Sequence, residues 1–252
     1  MDLRLKDRVF IVTGATRGLG RATAQVLVDE GAKVVLSSRH QDSVEAAVAE
    51  LGSECAVGLA ADNADPTSAR RLVEAAQSAY GRLDGALISV GGPPVGGVLD
   101  VTDAQWSSSF EAVFLGAVRL AREVTGALER GGSVAFILST SVKQPIGGLA
   151  ISNGLRPGLA MAAKTLADEV GPRGIRVNGL LPGRVETERV QELDAAADDP
   201  DAVRRHHESL IPLRRYGKPE EFGRAAAFLL SPASAYINGV MLPVDGGLSR
   251  GL

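Results

Sequence analysis

Val9-Phe10-Ile11-Val12-Thr13-Gly14-Ala15-Thr16-Arg17-Gly18-Leu19-Gly20 is the stretch on which the reading of this chain turns. A short apolar run of strand length enters a glycine-rich turn, and an Ala- and Leu-rich stretch of helical length, Leu19 to Glu30, follows it. Glycines at such a turn let the backbone bend tightly and approach a pyrophosphate. The helix that follows offers free N–H groups and the positive end of its dipole. A glycine pattern alone is weak evidence; one set between a strand and a helix is in the context that nucleotide binding requires. Gly14, Thr16, Arg17, Gly18, Leu19 and Gly20 are therefore candidate cofactor contacts.

The same alternation continues outward. Lys33 to Ser38, Cys55 to Ala60, Leu83 to Ser89, Ser133 to Ser139, Ile175 to Leu181 and Met241 to Val244 are further apolar runs of strand length. Most are continuously apolar, the pattern of strands buried on both faces of a parallel sheet. Between them, Ser43 to Leu51, Pro66 to Tyr80, Ala104 to Leu128 and Gly158 to Val170 read as helices, with starts marked at Asp65-Pro66 and Thr102. Strand and helix in alternation imply βαβ units and an α/β, doubly wound sheet of about seven mostly parallel strands with helices on both faces. The acidic stretch Gln191 to Asp201 reads as a helix or lid, part of a substrate segment around 186–212, since apolar patterning resumes on both sides. The 252 residues, 45% hydrophobic, suit one domain spanning 1–252 with a sizeable core.

A net charge of −3 gives no general pull toward nucleic acid or anionic membrane. The single cysteine, Cys55, excludes an internal disulfide framework and reads as a small buried hydrophobe. No apolar run approaches the ~20 residues of a membrane span, and Met1 to Arg8 lacks the apolar stretch of a secretory signal. A cytoplasmic protein is expected, without membrane or nucleic-acid partners. There is no Cys/His cluster for a metal. His40 reads as a surface residue near the adenosine end, and His206 or His207 as candidates for reaching the cleft from the lid.

The cofactor's identity is also legible. An acidic residue after the second strand usually accepts both hydroxyls of a free ribose diol. This strand ends Ser37-Ser38-Arg39, with no carboxylate before Asp42, and Arg17 lies in the glycine turn. Ser38 and two guanidiniums suit a 2′-phosphate, favouring NADP(H) over NAD(H).

Together these residues resemble the short-chain dehydrogenase/reductase family over almost the whole chain. The glycine turn has that family's spacing. Asp62-Asn63 looks like its adenine-pocket element, and Ser89-Val90-Gly91 stands where its asparagine-alanine-glycine falls. Pro182-Gly183-Arg184-Val185-Glu186-Thr187 resembles its proline-glycine turn, whose later threonine contacts the nicotinamide amide. Pro219-Glu220-Glu221 and Val244-Asp245-Gly246-Gly247 resemble its C-terminal signatures. The resemblance implies a Rossmann-like single domain and a homotetramer or homodimer acting on a small molecule. It adds Asp62, Asn63, Ser89, Gly91, Arg156, Pro182, Gly183, Val185 and Thr187 to the cofactor contacts.

The chain departs from the family where the chemistry lies. The family uses a tyrosine as acid or base, a lysine four residues later, a serine and an asparagine. Thirteen residues past Ser139 stands Ser152, and four further on stands Arg156; Val113 falls at the asparagine position. Of the four residue types only Ser139 survives. A serine hydroxyl is a far weaker acid than a tyrosine, and an arginine stays charged. Candidate catalytic residues are Ser139, Ser152, Arg156 and Lys143, the last as an ammonium acid if an apolar cleft buries it. Arg184 and Glu186, in the loop after the sixth strand, either face the substrate or are ordinary loop charges or an ion pair. Tyr216 reads as a packing residue, and Trp106 as packing at the start of its helix. Pro157 fits a first turn or a kink, so the helix around Ser152 is expected to begin late.

Three functions compete: an atypical NADP(H)-dependent reductase of a carbonyl, enone or enoyl thioester; a non-redox isomerase or dehydratase; and a non-catalytic nucleotide-binding sensor or heteromeric partner. Fold alone does not choose among them.

Overall fold

Most of the apolar runs become strands buried on both faces of one sheet, while the edge strands are only partly covered. The computed structural model describes residues 1–195 and 198–251, so Ala196 and Ala197 of the predicted lid segment, and Leu252, lie outside the described residues. The strands are β1 (Val9–Thr13), β2 (Lys33–Ser38), β3 (Ala56–Ala60), β4 (Gly85–Ile88), β5 (Ser133–Ile137), β6 (Arg176–Pro182) and β7 (Met241–Val244). They form one sheet in the order β3-β2-β1-β4-β5-β6-β7, and every pairing is parallel.

The helices are α1 (Gly18–Asp29), α2 (Gln41–Leu51), α3 (Ser68–Tyr80), α4 (Asp103–Ser109), α5 (Gly116–Ala127), α6 (Ala150–Val170), α7 (Glu188–Ala195), α8 (Pro200–Leu210) and α9 (Pro219–Leu230). Alternate strand residues feed two cores. Val9, Ile11, Ala86, Ile88, Val134 and Phe136 pack against α3, α5 and α6. Phe10, Val12, Leu87, Ala135 and Leu180 pack against α1, α2 and α9. No described helix is long and apolar enough to cross a membrane.

Two helix expectations change. The stretch 104–128 is not one helix: a π-helical turn, Phe110–Leu115, separates α4 from α5, and Val113 is buried within it. Such turns add one residue to the backbone ring, and side-chain periodicity carries no mark of it. Thr102 does cap α4, accepting from Gln105 N in a reciprocal capping box. The second change is α6, which begins at Ala150 rather than late and runs through Pro157 to Val170. Its opening turns are anchored from outside. Ala150 N donates to Gly96 O at 3.1 Å, and the Asn153 amide both accepts from Ile146 N and donates to Ile146 O. With these ties in place the helix tolerates the one N–H that Pro157 lacks. Trp106 packs against Gly154 of the same helix. Cys55 is half-buried rather than enclosed, with Sγ 3.9 Å from Lys33 Nζ.

The far edge of the sheet is fastened by Arg176, buried on β6. Its guanidinium donates to Leu229 O, Ser231 O and Ser234 Oγ at 2.8–2.9 Å, closing the C-terminal end of α9. Arg176→Ala removes three hydrogen bonds donated by a buried charged group, at a cost of about 3 kcal/mol or more. A thermal melt is expected to fall by roughly 6 °C or more; an unchanged midpoint would contradict this role.

Candidate functional site

The strand order reverses between β1 and β4, and the carboxyl ends of these two strands open a crevice. Thr13 fastens them together: its Oγ1 donates to Ser89 O and accepts from Ser89 N, both at 2.8 Å. The glycine turn lies beside this tie. Gly14 has φ +58°, a left-handed conformation. A Cβ on Gly20 would sit 2.4 Å from Gly14 O, so the turn closes onto α1 only with glycine there. Arg17, extended, precedes α1, and no side chain caps the helix start. Thr16, Gly18 and Leu19 are partly exposed around it. This is a cradle of the kind a pyrophosphate fills.

Along the crevice toward β2 and β3, Ser38 is half-buried and Arg39 exposed. Asp62 is exposed and accepts from Ala64 N, while Asn63 Nδ2 reaches Ser89 O at 3.4 Å. His40 is exposed immediately before α2.

Toward β5 the crevice floor is built by α6. Ser152 and Arg156, four residues apart, lie on its buried face, each 6% exposed. Arg156 Nη1 donates to Ile137 O at 2.5 Å and Nη2 to Gly91 O at 2.6 Å, so the guanidinium spans the ends of β4 and β5. Its Nε is buried with no partner. No carboxylate pairs with it among the described residues, and burial pushes its pKa down to about 10, still cationic near neutrality. Ser139 Oγ accepts from Ser141 N at 3.1 Å, which leaves its own hydrogen free to donate. Ser141 Oγ lies 3.3 Å from Ser152 Oγ, both buried. Ser141 escaped the sequence reading; it lies two residues past Ser139, and only the short 3₁₀ turn Thr140–Val142 folds it back onto Ser152. Lys143 closes that turn and is exposed, so the apolar burial that would recommend it as an acid is absent.

The loop after β6 carries Pro182 and Gly183, half-buried, then Val185 and Thr187, buried. Val185 pairs with Gly217 in a short parallel bridge. Arg184 and Glu186 hold α7 and α8 rather than standing free. Arg184 Nη1 donates to Asp194 Oδ1 at 2.8 Å, and its Nη2 lies 2.7 Å from His207 Nε2. Tyr216 donates to Asp194 Oδ2 at 3.0 Å, and Arg204 stacks 4.8 Å over the Tyr216 ring while pairing with Glu186 and Glu208. Burial first, and then the bond to Asp194, push the Tyr216 hydroxyl up to about 12, which makes it a poor proton donor. On the crevice side, Arg17 pairs with Glu192 at 3.2 Å and Arg189 Nη2 reaches Pro93 O at 3.3 Å. α7 thereby bridges the glycine turn and the loop after β4. Sequence separation hid most of this network: apart from Arg204–Glu208 within α8, its pairs join residues from different elements or loops.

A parallel sheet in this order, with a glycine cradle where the order reverses, defines the doubly wound, Rossmann-like α/β class. The model for a family described as enoyl-(acyl carrier protein) reductase matches residues 14–249. The chain belongs to the short-chain dehydrogenase/reductase family. It is 33% identical over 255 residues to human dehydrogenase/reductase SDR family member 4, covering 96% of this chain and 88% of that one. It superposes on L-sorbose reductase from Gluconobacter frateurii, solved with NADPH and L-sorbose, with a TM-score of 0.93 at 29% identity and full coverage of both chains. An apo short chain oxidoreductase from Pseudomonas aeruginosa PAO1, described as containing an atypical catalytic center, superposes with a TM-score of 0.91 at 28% identity, over 98% of this chain and 99% of that one.

The Arg184–His207 contact has a pH dependence of definite sign. Burial first, then the Arg184 charge, lower the His207 pKa from its ordinary 6.5, with Asp194 opposing and His206 adding to the effect. The folded arrangement therefore holds neutral imidazole. Its contribution is complete above pH 6.5 and is lost as pH falls from there through the depressed value. Amide exchange in α8 should accelerate across that window after correction for intrinsic rates, and His207→Gln should remove the step. Exchange indifferent to pH would contradict the assignment.

Proposed function

We propose that the protein is an NADP(H)-dependent reductase that works without a tyrosine acid, reducing a carbonyl or, preferentially, a conjugated enone or enoyl thioester. One observation carries this reading: Arg156, a buried cation without a counter-ion, lies at the carboxyl ends of β4 and β5 with its Nε unpartnered. The cradle at Gly14 and Gly20, which a Cβ would fill, fits a dinucleotide's pyrophosphate. Gly14, Thr16, Arg17, Gly18, Leu19 and Gly20 would hold it, with Ser38, Arg39, Asp62 and Asn63 toward the adenosine. Ser89, Gly91, Arg156, Pro182, Gly183, Val185 and Thr187 would line the nicotinamide half. Arg17 and Arg39, both exposed, support the 2′-phosphate preference.

When bound, the cofactor supplies a hydride to an electrophilic carbon of the substrate. Ser139 Oγ donates its free hydrogen to the substrate's carbonyl oxygen, and the Arg156 charge stabilises the negative charge that gathers there. In conjugate reduction the hydride enters the β-carbon, the electron pair shifts to an enolate, and a solvent proton then completes the α-carbon. No side-chain acid is required at the oxygen, which suits Ser152 at the tyrosine position. The buried Ser141–Ser152 pair holds the 139–143 turn against α6. The segment 186–212 would serve as the lid, and the Arg17–Glu192 and Arg189–Pro93 contacts of α7 support this reading.

A second reading, a nucleotide-binding partner without turnover, draws on the same absence of an acid: Lys143 is exposed and Tyr216 is raised to about 12. Exposed Phe110 on the π turn before α5, Met161 on α6 and Tyr236 near β7 fit a homodimer or homotetramer.

Titration with NADPH and NADH, followed by turnover with matched saturated ketones and enones, tests the proposal. NADPH is expected to bind about tenfold tighter than NADH or better. Enones should turn over, and Ser139→Ala should lower kcat/KM by about 100-fold. Tight NADPH binding with no turnover of any electrophile would favour the partner reading, and no binding of either nucleotide would overturn both.

A further inference from the structure

We infer that Arg156 makes the crevice selective for the reduced form of its nicotinamide cofactor over the oxidised form, so that it loads reduced cofactor in preference. The inference rests on the cofactor reading above and adds to it which redox state the floor prefers.

Three observations carry it. The first is location. A dinucleotide lies across the switch point with one nucleotide over each half of the sheet. β1 to β3 form the half that carries the glycine turn, Ser38 and Arg39. The other nucleotide, bearing the ring that reacts, then lies over the ends of β4 and β5, where the Arg156 guanidinium is fastened to Gly91 O and Ile137 O. The second is burial. Arg156 is 6% exposed, so water screens its charge poorly. The third is the absence of compensation. Two backbone carbonyls are its recorded partners, its Nε has none, and among the described residues it joins no ion pair. Ser152 stands one turn earlier on the same buried face of α6, with Ser141 against it, and neither side chain is an acid that could offset the charge. Lys143, on the adjoining turn, has the same sign.

The electrostatics follow directly. The oxidised nicotinamide ring carries a positive charge and the reduced ring is neutral, while the phosphates are the same in both forms. The difference in affinity between the two forms therefore isolates the ring's interaction with the floor. Two unit charges within about 10 Å, at an effective dielectric of about 20, repel enough to shift an equilibrium by about tenfold or more. A tyrosine at position 152 would supply an ionisable neighbour able to offset the cation as a phenolate; Ser152 supplies none. Hydride departure converts the neutral ring to the cationic one, so the same repulsion favours release of spent cofactor.

Equilibrium titrations of NADPH and NADP⁺ on the wild type, Arg156→Met and Arg156→Lys test this directly. The wild type should bind NADPH about tenfold tighter than NADP⁺ or better. Arg156→Met should bring the ratio near one, and Arg156→Lys should keep it. A wild-type ratio at or below one overturns the inference, whether or not any variant folds. So does a folded Arg156→Met that retains the wild-type ratio, because a merely structural arginine would weaken both forms together. If Arg156→Met does not fold, Arg156→Gln serves the same comparison. Equal binding of both forms removes this inference alone, whereas binding of neither removes the cofactor reading with it.

Discussion

A guanidinium taken out of water without a carboxylate beside it is costly, and this fold keeps one at Arg156. Two carbonyl oxygens, Ile137 O at the end of β5 and Gly91 O in the loop after β4, meet part of that cost. The arrangement demands that α6 start early enough to put residue 156 within reach of both. The Gly96–Ala150 link and the Asn153–Ile146 pair hold it there despite Pro157. The same helix places Ser152 against Ser141, and through the 3₁₀ turn fixes Ser139 with its hydrogen free. One buried charge thus organises the β4 loop, the β5 loop and the opening of α6 into a single floor.

The opposite side of the crevice follows a different logic. There the charges are paired. Arg184, Asp194, His207 and Tyr216 form a partly buried cluster that binds α7 and α8 to the loop after β6. Arg204 with Glu186 and Glu208 extends it outward. These groups neutralise one another and hold a segment in place, while the floor beneath is left with an unneutralised cation. Surface pairs such as Arg17–Glu192 contribute little to stability, about 0–1 kcal/mol. They are therefore easily exchanged for a phosphate.

The seven strands and most helices were legible because doubly buried parallel strands leave continuous apolar runs, as Val9–Thr13 and Lys33–Ser38 do. The glycine turn was legible because its steric demand falls on particular residues, with no room for a Cβ on Gly20. The π turn around Val113 was not, since an i→i+5 step leaves apolar spacing almost unchanged. The start of α6 was misread because Pro157 signals a boundary locally, while the ties that carry the helix past it come from Gly96 and Ile146. The substitutions at 152 and 156 were readable as absences. What replaces the missing residues, a carbonyl-bound guanidinium and a Ser141–Ser152 pair, depends on contacts across the fold that spacing does not encode.

The account turns on the nicotinamide half of a bound cofactor resting on Arg156. A crystal structure of the NADPH complex tests it most directly. The expected result is an N–H of the Arg156 guanidinium, Nε foremost, within hydrogen-bond distance of the nicotinamide ribose. A cofactor whose nicotinamide half lies elsewhere, with Arg156 still closed off beneath Gly91 and Ile137, would contradict it.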